Sequence, residues 1–260
     1  MDAALVVLGT GGALPTARRD NTALAFRIGT GGVLIDCPGG VYTKLLRAGV
    51  DPTALDAVVL THAHPDHVYG LVSLVHSLWM VARGAPRAPL PLYAPAAEAG
   101  RVRALLALFD LDRRAAFLDH RALPDDPGRP FWERGGHRLH AHTVDHGPPA
   151  CAVRWDAPGG LRVTYSTDTR PLDALAAFGA SSDLFVHEAT YASGEEDLAG
   201  AGGHSTAGQA GRIAALAGAR RLLLVHLGDH ANPGRWIADA QREFAGPVEI
   251  PEDGAVYPLG

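Results

Sequence analysis

Four apolar runs in this chain end on histidine or aspartate: VVLTHAH, RVTYSTDT, LFVHEAT and LLLVHLG. Each run reads as a short buried strand. Helical repeats stand between most of them, so the fold class is α/β. Ligands in open α/β sheets sit outside the carboxyl ends of strands. Titratable groups at four such ends can build one site from residues far apart in sequence.

The rest of the chain fits this frame. LVVLGT (5–10) reads as a strand, and TALAFRI (22–28) and VLIDC (33–37) flank a Gly29-Thr30-Gly31-Gly32 hairpin turn. From His67 to Ala82 the apolar residues Leu71, Leu74, Val75, Leu78 and Trp79 recur at helical spacing. PLPLYAP is a strand and AEAGRVRALLALF a helix. RLHAHTV, ACAVRW and LRVTYST are consecutive strands. RPLDALAAFG, STAGQAGRIAALAG and WIADAQREFAG are helices. Segments 79–89 and 119–136 read as loops without recognisable chemistry. Early strands form hairpins and later ones alternate with helices, which suits two mixed sheets with helices outside. No Pro/Ser-rich linker interrupts 1–260, so a single domain is expected.

Composition narrows the functional classes. The formal charge is -5, and Lys44 is the only lysine, which gives no support to a nucleic-acid role. Cys37 and Cys151 make no disulfide framework and fit a reducing compartment. The N-terminus lacks a basic leader, and no apolar run of about 18 residues exists. A cytoplasmic protein without membrane contact is the expectation.

The densest chemistry lies in THAHPDHVYG, residues 61–70. His62, His64, Asp66 and His67 crowd one strand-to-helix turn. Imidazole nitrogen with carboxylate oxygen suits zinc, and also iron or manganese. The four groups crowd a single ion but divide between two, His62 with His64 and Asp66 with His67. Asp168 closes YSTDT, where an aspartate commonly bonds its own backbone. His226 follows Leu222–Val225, with a core or capping role as rival. His187 and Glu188 end DLFV, where capping is again the rival. His204 precedes Ser205-Thr206, and Thr206 with Gln209 has capping-box spacing, which puts His204 outside a helix N-terminus suited to anions. His142 and His146 would share a metal on a helix; on a strand they stand about 13 Å apart and would not. His76, His120, His137, His140 and His230 read as ordinary core or surface residues. Gly9-Thr10-Gly11-Gly12 leads into a hairpin, which argues against a dinucleotide site. The GHSTA run around Ser205 lacks the strand and the last glycine of a nucleophile elbow.

HxHxDH after a buried strand resembles the signature of the metallo-β-lactamase superfamily. LGTGGALPT, LIDCPGG, THAHPDH, HGPPACAVR, STDTRP, HEATY, GHSTAGQA and LLLVHL stand in the order seen in ribonuclease Z and its phosphodiesterase relatives. The resemblance implies an αββα four-layer sandwich of two mixed sheets flanked by helices. It implies that His62, His64 and His146 hold one metal, that Asp66, His67 and His226 hold a second, and that Asp168 bridges them. His204 would stand near the leaving group, oriented by Glu188, with His187 supporting the loop and Asp66 orienting the nucleophile. Two divalent cations, zinc first with manganese or iron as alternatives, would share a hydroxide.

Two departures bear on substrate. His146 and Asp168 stand only 22 positions apart, leaving no room for the tRNA-gripping arm of ribonuclease Z. The DCGEG pattern becomes Asp36-Cys37-Pro38-Gly39-Gly40, without its acidic residue. The expected activity is a phosphodiesterase for a small diester, with RNA not favoured. The rivals are an ester, lactone or sulfate hydrolase with the same metals, tRNA 3′-end processing, and a non-catalytic metal- or ligand-binding protein. A homodimer is expected by analogy with the family alone.

Overall fold

The computed structural model describes residues 3–82 and 88–259, and the chain divides into two compact units. Unit one comprises Met1–Gly9, Asn21–Leu123 and Glu252–Gly260; unit two comprises Thr10–Asp20 and Pro124–Pro251.

Unit one contains β1 (Ala3–Gly9), β2 (Ala23–Ile28), β3 (Gly31–Ile35), α1 (Val41–Arg47), β4 (Leu55–Val59), α2 (Pro65–Val68), α3 (Leu71–Ala82), β5 (Leu90–Ala94), α4 (Ala99–Ala107), α5 (Leu111–Arg114), β6 (Leu118–Ala122) and β14 (Ala255–Pro258). Its strands pair in the order β14-β1-β2-β3-β4-β5-β6. Pairing is antiparallel from β14 to β3 and parallel from β3 to β6. The β2–β3 hairpin expected from the sequence forms, but its turn is Gly29-Thr30 alone: Ile28 pairs with Gly31, and Gly31 and Gly32 belong to β3. Leu71, Leu74, Val75 and Leu78 of α3 pack with Leu34, Val58 and Leu60 in the unit's apolar core.

The helical repeat read from His67 to Ala82 is broken in two at Gly70. A Cβ there would stand 1.9 Å from the Pro38 carbonyl oxygen. The close approach lets Gly70 N–H donate to the Cys37 carbonyl at 2.8 Å. The break frees α2 as a separate turn carrying Asp66 and His67. Residues 79–82 are the end of α3 rather than loop, and 83–87 lie outside the described residues. The 119–136 segment holds most of β6 and all of β7 (Trp132–Arg134). Edge strands carry exposed charge, and LDHRA and WER look like loop for that reason.

Unit two continues with β8 (His137–Val144), β9 (Ala150–Asp156), β10 (Arg162–Tyr165), α6 (Asp173–Phe178), β11 (Leu184–Glu188), α7 (Glu196–Gly202), α8 (Ala207–Leu216), β12 (Leu222–Val225), α9 (Pro233–Gln241) and β13 (Val248–Glu249). Its order is β13-β12-β11-β10-β9-β8-β7, antiparallel from β7 to β10 and parallel from β10 to β13. Trp236 of α9 packs with Leu222, Leu224 and Ala210 of α8, and Phe178 and Leu175 of α6 pack with Phe185 and Ile213. The Thr206–Gln209 capping box opens α8 as expected. Helix α9 begins before Trp236, because the Asn232 side chain accepts from Arg235 N and Pro233 fits the first turn. Each unit is thus a mixed sheet with helices packed on it. No helix among the described residues is long and apolar enough to cross a membrane.

Candidate metal centre

Two clusters of ligand-type side chains stand at strand carboxyl ends, one in each unit. In unit one, β4 runs into Thr61 and His62. Asp36, which follows β3, is fully buried with a left-handed backbone (φ 63°). Its carboxylate accepts Thr61 N–H at 2.8 Å, the Thr61 hydroxyl at 2.9 Å and His67 Nδ1–H at 2.8 Å. With its proton given to Asp36, the Thr61 hydroxyl oxygen accepts from His62 Nδ1 at 3.1 Å. Asp36 therefore holds one imidazole directly and a second through a threonine. Burial pushes the Asp36 carboxyl above its ordinary value, and His67 and Thr61 pull it back.

These bonds set the tautomers, leaving Nε2 of His62 and His67 as the nitrogens able to bind metal. His62 Nε2 lies 3.1 Å from His64 Nδ1, and His67 Nε2 lies 3.4 Å from Asp66 Oδ2. Two donors each about 2.0–2.1 Å from a tetrahedral zinc stand about 3.3 Å apart. Both pairs fit that spacing.

Unit two repeats the arrangement around Glu188 at the end of β11. Glu188 is fully buried. It accepts Thr169 N–H at 3.2 Å, Thr190 N–H at 3.0 Å, Ser205 N–H at 2.9 Å and the Thr190 hydroxyl at 2.9 Å. His204 Nδ1 lies 3.1 Å from the same carboxylate, and the Thr190 oxygen receives His226 Nδ1 at 3.0 Å. Again one carboxylate holds one imidazole directly and another through a threonine. His146 Nδ1 is held by the Gly203 carbonyl at 2.8 Å. The Nε2 atoms of His226 and His146 lie 3.2 and 3.9 Å from Asp168 Oδ2, so one carboxylate oxygen faces two imidazoles. His204 also offers a ligand atom within 4.8 Å of those of Asp168 and His226.

His142 is settled by β8, which ends at Val144 and leaves His146 in the following loop. The His142 ring stacks on Phe178 at 5.3 Å, and burial holds its pKa below the ordinary value. His187 is fully buried, donates Nδ1–H to the Glu188 carbonyl at 2.7 Å and has its pKa lowered by desolvation. His187 thus packs in the interior of unit two, and His142 is half-buried against Phe178.

Several site residues escaped the sequence reading. Asp36, Thr61 and Thr190 act only through the imidazoles they hold. Arg170 donates to the Gly200 carbonyl at 2.7 Å and to Asp145 Oδ1 at 2.9 Å, tying the His146 loop to α7. Among the described residues, Asp36, Thr167 and His226 adopt left-handed φ of 63°, 53° and 53° at these strand ends, and Asp110 and Ser181 do so elsewhere. Such conformations concentrate at functional sites. The sequence signal available was the threonine beside each acidic or histidine strand end, in LTH and HEAT.

Residues 32–227 match the model of the Beta-lactamase superfamily domain. Ribonuclease Z of Myxococcus xanthus is 31% identical over 306 aligned positions, covering 98% of this chain and 97% of that protein. Among solved structures, the metallo-beta-lactamase fold protein YhfI from Bacillus subtilis superposes with a TM-score of 0.86 at 26% identity, over 100% of both chains. The short form of human tRNase Z superposes with a TM-score of 0.79 at 22% identity, over 98% of both chains.

Proposed function

Because the chain belongs to the metallo-β-lactamase superfamily of metal-dependent hydrolases, in its ribonuclease Z-like branch, we propose that it hydrolyses a small phosphodiester with two divalent cations. His62, His64 and His146 would hold one cation, Asp66, His67 and His226 the other, and Asp168 both. The observation that carries this reading is the matched pair of relays, Asp36–Thr61–His62 and Glu188–Thr190–His226. Each fixes an imidazole tautomer with Nε2 left for a cation, beside a second ligand-type side chain within 3.2 Å. Nitrogen and carboxylate donors favour zinc, with manganese or iron as alternatives. When bound, such a pair supplies Lewis acidity and lowers the pKa of water.

The chain's own residues divide the remaining work. The oxygen of water bonds to phosphorus, one P–O bond breaks, and the proton water sheds passes to solvent, from which His204 is reprotonated after the product leaves. The departing oxygen takes its proton from His204 Nε2. Glu188, bound to His204 Nδ1, keeps that ring oriented and balances its positive charge while it carries two protons. Asp66 orients the attacking water.

RNA cleavage is the second reading, favoured by the relatives named ribonuclease Z. Against it, the stretch between His146 and Asp168 is only the β9–β10 hairpin. The test is hydrolysis of bis(p-nitrophenyl) phosphate by zinc- or manganese-loaded protein, with His64→Ala as control and a precursor tRNA as competing substrate. Activity on the diester that disappears in His64→Ala supports the proposal. Two bound metals without diester turnover would move the reading to esters, lactones or sulfates, or to binding alone. His204→Ala should lower turnover about 100-fold or more with metal content nearly unchanged; loss of metal would make His204 a ligand.

A further inference from the structure

Beyond His204 the surface of unit two continues as a run of rings and carboxylates that the proposed reaction does not use. Tyr191, three residues after Glu188, places its ring 6.3 Å from that of His204 and 6.3 Å from that of His230. His230 is half exposed, and its nitrogens lie 3.5 Å from Asp229 Oδ1 and 3.9 Å from Glu195 Oε2. Glu195 is held in place by accepting Ala192 N–H at 2.8 Å. Glu196 and Asp197 follow it in the exposed first turn of α7. Two arginines lie nearby: Arg235 donates to the Ser193 carbonyl at 2.9 Å and stands 3.7 Å from Asp239, which Arg242 also holds at 2.8 Å, so the two cations are outnumbered by Asp229, Glu195, Glu196, Asp197 and Asp239. A group leaving toward His204 thus meets an aromatic wall and then net negative charge.

We propose that Tyr191, His230, Asp229 and Glu195 form the leaving-group subsite, which takes an uncharged or cationic alcohol and rejects one bearing further negative charge. The inference rests on the phosphodiesterase reading and deepens it. Tyr191 offers a flat face to the apolar part of the alcohol. Asp229 and Glu195 stand beyond it, where a substituent on that alcohol would reach. Two carboxylates roughly 8 Å from a substituent charge change binding about fivefold in each direction in a water-like medium. An RNA strand leaving by this path would carry its next phosphate into the same field.

The test uses methyl phosphodiesters of three chromogenic phenols: 4-nitrophenol, a carboxylated 4-nitrophenol and a trimethylammonio 4-nitrophenol. The aryl group is the leaving group in all three, and colour reports its release. Rates of hydroxide-catalysed hydrolysis correct for the different phenol acidities. The metal-loaded protein should show a corrected kcat/KM for the cationic ester at least tenfold above that for the carboxylated one. Asp229→Asn with Glu195→Gln should cut that ratio by up to about 25-fold at low salt, the two fivefold effects combined, and salt should compress it in the wild type. An equal ratio in wild type and double variant, with His64-dependent activity intact, overturns the subsite while leaving the hydrolase reading standing. Activity on none of the three esters, or activity surviving in His64→Ala, overturns the hydrolase reading and the subsite with it. Both substituted side chains reach the surface, and unchanged circular dichroism and melting would verify that the double variant folds.

Discussion

Asp36→Asn is the sharpest test of how the first cluster is organised. Asparagine keeps the shape of aspartate and tolerates the left-handed backbone at position 36. It cannot keep the hydrogen bonds. One carboxylate oxygen serves Thr61 N–H, and the other serves both the Thr61 hydroxyl and His67 Nδ1–H. With its oxygen toward Thr61 N–H, the new amide turns an NH2 group toward His67. Two donors then face each other in a buried site. The ring escapes by moving its proton to Nε2, so that Nδ1 accepts from the amide. That tautomer no longer offers Nε2 to a metal. Removing such an outer partner weakens metal binding about 10–100-fold, or roughly 1.4–2.8 kcal/mol. Loss of the charged hydrogen bond should also lower the stability of metal-free protein by about 1–3 kcal/mol. Chelator competition would read the affinity, and nitrogen NMR of the His67 ring would read the tautomer. The expected result is the larger loss at the zinc equivalent proposed at His67, with the His67 proton on Nε2, and a smaller loss at the one proposed at His62, which Asp36 reaches through Thr61. Wild-type affinity for both equivalents, or a His67 proton still on Nδ1, would refute Asp36 as the residue that fixes these imidazoles.

Three further outcomes follow from the same structure. Gly203→Ala should weaken metal binding by displacing His146, because a Cβ would stand 2.8 Å from His146 Nδ1 at a φ of 81°; unchanged zinc affinity would count against the Gly203–His146 contact. Neither thiol should react with Ellman's reagent at pH 8 in the folded protein, since burial raises Cys37 well above its ordinary pKa and Cys151 to about 11; rapid native labelling of either would contradict this. Burial lowers the pKa values of His137, His140, His142 and His187 in the fold. The unfolded chain binds protons first, from about pH 6.5 downward, so chelator-treated protein should lose stability as pH falls below about 6.5. His142→Leu should flatten that decline in melting temperature, and an identical slope would be the contrary result.

The strands and the ligand-bearing turns were legible because both announce themselves locally. VVL before THAHPDH and LLLV before His226 are apolar runs that end on polar residues, and β4 and β12 stand there. The edge strands β6 and β7 were not legible, because one exposed side removes the apolar pattern. Helix α7 has no legible pattern in the sequence, since EDLAGAG buries only Ala199. The break at Gly70 depends on the Pro38 carbonyl, more than thirty positions away, and no local pattern carries it. The same holds for the carboxylates behind the imidazoles. Glu188 was assigned a place by its motif, whereas Asp36 looked like one more polar residue after a strand. What separates them from bystanders is a hydrogen bond across the fold, to His204 in one case and to His67 in the other.

The turn between β9 and β10 has a consequence for how this protein and its relatives diverge. Pro158, Gly159 and Gly160 close that hairpin at the surface. The ladder pairs Asp156 with Arg162 immediately on either side. His146 and Asp168 lie beyond the two outer ends of the strands, so residues added at the turn need not disturb them. A lineage can gain or lose a substrate-gripping segment there in a single insertion or deletion event. Substrate range is in that sense separable from the hydrolytic chemistry, and the two can be inherited on different schedules.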